Sequence, residues 1–396
     1  MSVMYTLTVR HSFQPEFHLA AACATWPPDA ARASRIEVLV AKKIDWPHFL
    51  NVTQRHRVIG LARHGLHPWR DSIPREIMDQ LNAGAAQQLR QSLLHAAEAS
   101  RVVKSLSQQG IPVAVLKGVP LSILAYGDLA LRHSRDNDLL ISPDHLSAAA
   151  ATIEGAGYTR IRPSPEWRDK ALLGWQRYSK HFEYAHRTSG ARLELHWRIS
   201  ANPRLWGLGL CQANVQDVAV LSNCTLPTFA TDELLLYLCL HGATHAWFRL
   251  KWLADVAALL REGGPNAALR LLELADAHNM RRPVAATLEL SREIFQMTVS
   301  PVHMDAATRL LIRIAMGAIT AGGTRIGPCT TRFGTTPVSF SRYLLHDDWR
   351  FRRDEFKVGF MAHDATPSAL PSWAHALPRI LLWFRSHLMN QGRQKP

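Results

Sequence analysis

Asp136 and Asp138 stand two residues apart in the run SRDNDLLIS. Residues i and i+2 of a strand project from one face, so in an extended segment the two carboxylates converge on a point while Asn137, Leu139 and Ile141 face the other way. Adjacent carboxylates repel each other, and a divalent cation between them removes that penalty. Hexacoordinate Mg²⁺, or Mn²⁺, shared with substrate phosphates suits such oxygen ligands. This is the layout of metal-assisted phosphoryl or nucleotidyl transfer. A solvated turn rich in Asp and Asn contains the same DxD, so the pair by itself does not separate the two readings.

The run RLELHW offers a third acid. Its alternation puts Leu193, Leu195 and Trp197 on one face and Arg192, Glu194 and His196 on the other. If this strand neighbours the DxD strand, Glu194 becomes the third carboxylate, and His196 supports that ligand or touches substrate. A strand over His181 to His186 precedes it, joined through Thr188-Ser189-Gly190, with glycine where a hairpin needs it.

The elements that position these groups can be read around them. Pro112 to Ser142 reads as strand, glycine turn, short helix, loop and strand. Ser142 is the expected N-cap of a helix over Pro143 to Gly157, which returns the chain for a strand near Tyr158 to Ile161. Up to Gly110 the spacing is helical, ending in a long run from Ile77 to Gln109 with Gly110 as C-cap. Beyond Ala201 the pattern is helical again. Thr231 reads as an N-cap, and an apolar pattern runs on to Leu260. Within it His241 and His245 lie one turn apart, with Trp252 and Asp255 further along the same stripe. The HExxH glutamate is missing, since Gly242 follows His241, so this pair reads as a pocket wall or as packed core histidines rather than a zinc site. Lys251 reads as solvated. A short basic, aromatic helix is expected over Arg379 to Leu388, packed on the helical region. The expected architecture is α+β: a small mixed-sheet core over 111–200 between helical regions 1–110 and 201–396.

In order along the chain, LKG, LAYGDLALRHSRDNDLLI, a helix ending in GAGY, and RLELHWRI resemble the nucleotidyltransferase fold of the polymerase-β-like superfamily. More narrowly, the chain is similar to a poorly characterised bacterial nucleotidyltransferase family with motifs LKG, YxD, RxxxDxD and E/D-L-H-W, and HGATHAWFRLKWLADVAALL resembles that family's helical segment. The resemblance implies that Asp136 and Asp138 bind metal, that Glu194 completes the triad, and that Lys117 and Gly118 form a phosphate-binding turn. Val119 departs from the wider superfamily, where Ser or Gly often follows the glycine. In such a reaction metal ions offset phosphate charge, and the carboxylates serve chiefly to place them. Lys117, Arg132 and Arg135 are then the nearest cations for the triphosphate, and Asp128 reads as a turn cap.

The 396 residues are 47% apolar and carry 46 basic against 32 acidic groups, a net charge of +14. That balance favours phosphate-bearing ligands, nucleic acid or an anionic membrane surface. Five scattered cysteines without CxxC spacing argue against a disulfide framework or zinc ribbon, and fit a reducing cytoplasm. No apolar segment approaches transmembrane length. The expected activity is Mg²⁺- or Mn²⁺-dependent transfer of a nucleoside monophosphate from an NTP, ATP foremost, to a hydroxyl on a small molecule or peptide. The contrasting expectation is a non-catalytic module that binds nucleotide or nucleic acid through its basic surface. The acids weigh against it, because without a metal they repel phosphate.

Overall fold

The computed structural model describes residues 13–206, 209–321 and 336–361. The chain opens with α1 (Pro15–Cys23), α2 (Ala30–Val40), α3 (Trp46–His56), α4 (Ile59–Leu66) and the long α5 (Arg75–Gln108). Side chains of Asp29 and Asp45 accept hydrogen bonds from the first turns of α2 and α3, which satisfies donors that the helices leave open. Gly110 follows α5 at φ +69°, a left-handed stop of the kind its position in the sequence predicts.

The centre comprises β1 (Val113–Val115), α6 (Val119–Tyr126), β2 (Asn137–Ile141), α7 (Leu146–Gly155), β3 (Tyr158–Arg162), α8 (Asp169–Tyr178), β4 (His181–His186) and β5 (Arg192–His196). Its five strands form one sheet in the order β1-β2-β5-β4-β3. Only β2 and β5 run parallel; the other neighbours are antiparallel. On one face Val115, Leu139, Ile141, Leu193 and Leu195 pack with Ala99, Val102 and Leu106 of α5 and Ile153 of α7. Each such buried aliphatic side chain contributes roughly 1.5–3 kcal/mol. On the other face Ala114, Leu116 and Leu140 join a second core built from the flanking helices.

A hairpin of β6 (Val215–Leu221) and β7 (Cys224–Phe229) follows, where the sequence reads as helical from Ala201 onward. Its Thr228 hydroxyl donates to the Val115 carbonyl at 2.6 Å, which ties the hairpin to β1. The helices α9 (Thr231–Thr244), α10 (Leu250–Glu262), α11 (Ala267–Ala277), α12 (Arg281–Phe295), α13 (Ala306–Thr320), α14 (Thr336–Ser341) and α15 (Trp349–Met361) complete the chain. The single helix expected to run on to Leu260 is two, because the chain reverses at Ala246 and Trp247, both at positive φ. Gly242 permits the reversal: a Cβ there would lie 2.4 Å from the Trp247 ring nitrogen. The sheet and helices make a mixed α/β fold, and α1, α3, α4, α9, α10 and α12 share one hydrophobic core. No helix among the described residues is long and apolar enough to cross a membrane. The segment from Arg379 to Leu388 lies outside the described residues.

Candidate active site

Strands β2 and β5 bring the distant acids together. Asp138 and Glu194 are direct partners in the parallel register, and Glu183 of β4 is in turn the partner of Glu194. Three acids therefore run across three strands on one face, an arrangement that costs stability unless positive charge offsets it. The next row along the strands is Leu140, His196 and His181.

The offsetting charges converge on this row. Lys117 Nζ lies 3.0 Å from Asp138 Oδ1, and His196 Nε2 lies 3.4 Å from the same oxygen. His196 Nε2 is also 3.0 Å from Glu194 Oε2, and His181 Nε2 is 3.9 Å from it. Among the described residues, the metal-ligating atoms that close to within 4.8 Å of one another belong to His181, Glu194 and His196. Asp138 is fully buried, and both its oxygens lack a hydrogen bond of good geometry. Burial opposes the Lys117 charge, but Asp138, with help from Asp136 and Glu194, outweighs it and holds the ammonium well above the usual lysine range. Burial would likewise raise the Glu194 carboxyl; the His196 hydrogen bond and the charges of His196, Lys117 and His181 hold it well below the usual carboxylate range.

The turn that presents Lys117 is built from behind. Gly118 has φ +82° and ψ −125°, a conformation that only glycine adopts readily. Its carbonyl accepts from Arg132 Nη1 at 3.2 Å, and Arg132 Nε donates to Asp255 Oδ1 at 3.0 Å. Tyr126 donates its hydroxyl to that same Asp255 oxygen at 2.9 Å. Arg132, expected as a phosphate contact, is therefore buried in an ion pair that braces the turn. Lys251, read as solvated, is buried with its ammonium on the His133 carbonyl at 2.9 Å. Asp128 caps its own turn by accepting from the Ala130 amide at 2.8 Å.

Residues 42–296 match the family model described as an uncharacterised nucleotidyltransferase. The chain belongs to this family. The crystal structure of an antigenic nucleotidyltransferase-like protein from Paracoccidioides brasiliensis is similar at TM-score 0.32 and 14% identity, over 53% of this chain and 98% of that one. That likeness is too distant to bear on the site. No curated protein gives a significant match.

The side of this cluster next to Lys117 and Asp138 is formed by α9. Tyr237 is buried, its hydroxyl has no hydrogen-bond partner among the described residues, and it feels Lys117, Asp138 and Glu194. One turn on, His241 is held neutral by burial and by Lys117, His245 and Lys180. Its ring lies 5.0 Å from that of His245 and 5.2 Å from that of Trp252. Neither His241 nor His245 joins a metal-ligand cluster among the described residues. Lys180 stands near Glu194, Lys117, Asp138 and Arg342, and burial is the main cause of its lowered pKa.

Sequence reasoning does not single out Lys180, Tyr237, His181 or Glu183. For the last two a signal exists: in HFEYAH, Phe182 and Tyr184 are buried in the core, which leaves His181 and Glu183 on the acid face. Arg135 remains exposed beside Asp136, at the entrance to β2.

Proposed function

We propose that this protein is a divalent-metal-dependent nucleotidyltransferase that moves a nucleoside monophosphate from an NTP, ATP foremost, to an acceptor hydroxyl. The observation that carries the reading is the Asp138 carboxylate, buried without a good hydrogen bond and directly opposite Glu194. Such a cluster is expensive to maintain for structure alone, since the Lys117 and His196 groups that offset its like charges are themselves taken out of water.

The residues that close on one point fit a divalent cation: His181, Glu194 and His196 offer two imidazole nitrogens and a carboxylate, and the Asp138 carboxylate lies 3.4 Å from His196. Asp136, expected as a ligand beside Asp138, precedes β2 and is not part of that cluster. Imidazole shifts the preference from Mg²⁺ toward Mn²⁺. When bound, the metal offsets phosphate charge and acidifies the acceptor hydroxyl.

The chain's own residues do the rest. Lys117 stays protonated at the end of a rigid turn, so it can pair with phosphate oxygens once its carboxylate partner is otherwise engaged. Lys180 adds a second cation on the same side. Arg132 and Asp255 keep the Gly118 turn from collapsing onto the acids. Tyr237, whose buried hydroxyl has no hydrogen-bond partner among the described residues, and His241 form one wall.

Incubation of the purified protein with α-labelled NTPs, Mn²⁺ or Mg²⁺ and a panel of hydroxyl compounds tests the reading. Label should pass to an acceptor in the wild type and not in Asp138→Asn. Equal turnover in both would remove the assignment.

A further inference from the structure

A groove of about 1,200 Å³ runs from the chain entering β2 along α5 and past the β4–β5 turn. Its lining carries Arg55, Arg57, Arg90, Arg135, Arg192 and Arg249 against a single acid, Glu98. That acid is already occupied, accepting from the Tyr158 hydroxyl at 2.6 Å and from Arg101 at 2.8 Å. Arg57 and Arg135 have no hydrogen-bond or ion-pair partner for their guanidinium groups among the described residues. Arg57 is held in place by its backbone, which caps α3 at φ +57°.

These guanidinium groups crowd one another. Burial, then Arg135, lowers the Arg57 pKa to about 10, and burial, then Arg57 and Arg135, lowers that of Arg249 to about 9. Fixed like charges of this kind are relieved by an oxyanion, and a planar fork of N–H donors matches phosphate geometry.

The groove ends at the chain entering β2, one residue from Asp136, and Asp136, Asp138 and Glu194 do not themselves line it. Arg135 directly precedes Asp136, and Ser134, also in the lining, donates to the Asp136 carbonyl at 3.3 Å. His95 of α5 lines the groove, feels both Asp136 and Asp138, and accepts from the Asn137 side chain through its carbonyl at 3.2 Å. Lys117 and Lys180 stand by Asp138 and Glu194, whereas Arg57 and Arg135 stand by Asp136.

We propose that this groove is the acceptor site, and that the acceptor is a small hydroxyl compound bearing a phosphate group, gripped by Arg57 and Arg135. The inference rests on the nucleotidyltransfer reading of the adjoining acids. The acceptor's hydroxyl oxygen bonds to the α-phosphorus of the NTP as the bond from that phosphorus to the bridging oxygen breaks. Pyrophosphate leaves, and the hydroxyl proton passes to water. The side-chain amides of Gln87 and Gln91 line the groove and suit a polyhydroxylated body. No Phe, Tyr or Trp lines it, so it lacks the stacking platform that a single-stranded nucleic acid uses.

Calorimetric titration of the full chain tests this, with inorganic phosphate, ribose 5-phosphate, ribose and a short RNA oligomer as probes. Each is measured with and without a saturating Mg²⁺-bound, non-hydrolysable NTP analogue. The comparison is Arg57→Asn, since asparagine tolerates the left-handed backbone at position 57. Phosphate and ribose 5-phosphate should bind the wild type with the analogue present, and ribose should not. The variant should weaken both by about tenfold or more and change analogue affinity by less than about threefold. Displacement of phosphate by the analogue, or equal losses of phosphate and analogue affinity, would mean that these arginines hold the NTP. Unchanged phosphate binding in the variant, or RNA bound more tightly than ribose 5-phosphate, would also overturn the proposal. Failure of the nucleotidyltransfer reading has a different signature: the analogue does not bind while groove binding persists, which leaves an anion site without an acceptor role.

Discussion

Asp138 and Glu194 are 56 residues apart in the chain and face each other across the parallel strands β2 and β5. Between them stand Lys117 and His196, each within 3.4 Å of Asp138. The site without metal is thus a balance of buried charges. What happens when one partner is removed follows from that balance.

Lys117→Met should destabilise the metal-free protein more than Asp138→Asn does. Removing the ammonium leaves Asp138, Glu194 and Asp136 without their principal countercharge, and stripping one partner from a buried pair costs about 3–5 kcal/mol. Removing the Asp138 charge also relieves its repulsion with Glu194. A divalent ion can replace the lost ammonium, so Mn²⁺ should raise the melting temperature of Lys117→Met more than that of the wild type. Thermal melts with and without Mn²⁺ decide this; equal shifts in the two proteins contradict it.

His196→Asn should separate the two metals. With an imidazole beside Glu194, the wild type should bind Mn²⁺ more tightly than Mg²⁺. The variant should lose about tenfold or more in Mn²⁺ affinity, while Mg²⁺ affinity falls much less. Calorimetry with each metal alone gives the ratio, and a parallel loss for both would place His196 outside the metal's reach.

Acid should destabilise the fold through His56. This ring is buried, its Nδ1 accepts from the Leu250 amide at 3.0 Å, and burial, then Arg55 and Arg249, lowers its pKa to about 3. Unfolded, it takes up a proton near pH 6.5. Between roughly pH 6.5 and pH 3 the unfolded chain therefore binds a proton that the folded chain refuses. Stability rises with pH across that window, is complete above it and is lost as pH falls, at up to about 1.4 kcal/mol per pH unit. His133, lowered to about 3 by burial and by Lys251 and Arg57, acts in the same direction. Urea midpoints at about pH 7.5 and about pH 5 should differ less in His56→Gln than in the wild type. Parallel pH dependence of the two would contradict the assignment.

Much of this was legible in the chain because strand alternation is a local rule. RLELHW shows its two faces in sequence, and the run from Ile77 to Gln109 closed by Gly110 covers most of α5, whereas Asp136, read as a strand residue with Asp138, precedes β2. The partners of those faces were not legible. Asp255 lies 123 residues from Arg132, and no local pattern marks that pairing, so a buried brace read as a phosphate contact. The reversal at Ala246 and Trp247 was hidden because the apolar pattern continues through it, and the close fit of Gly242 to Trp247 exists only in three dimensions. The β6–β7 hairpin carries a period-two signal, with Val218 and Val220 buried between exposed neighbours, but it is short and lies between helical segments. Lys180 acquires its position from the end of α8 and the start of β4, elements whose packing the sequence does not announce.

The role proposed for the acids of β2 and β5 is that of a metal-dependent nucleotide site. Calorimetric titration of NTP into the wild type and Asp138→Asn, each with and without Mn²⁺, tests it most directly, beside a salt series with RNA. NTP affinity should be weak without metal, rise when Mn²⁺ is added to the wild type, and fail to rise in Asp138→Asn. RNA should bind weakly near physiological salt. NTP binding that ignores both the metal and Asp138, together with RNA affinity that falls steeply with salt, would contradict the account and favour a basic nucleic-acid-binding module.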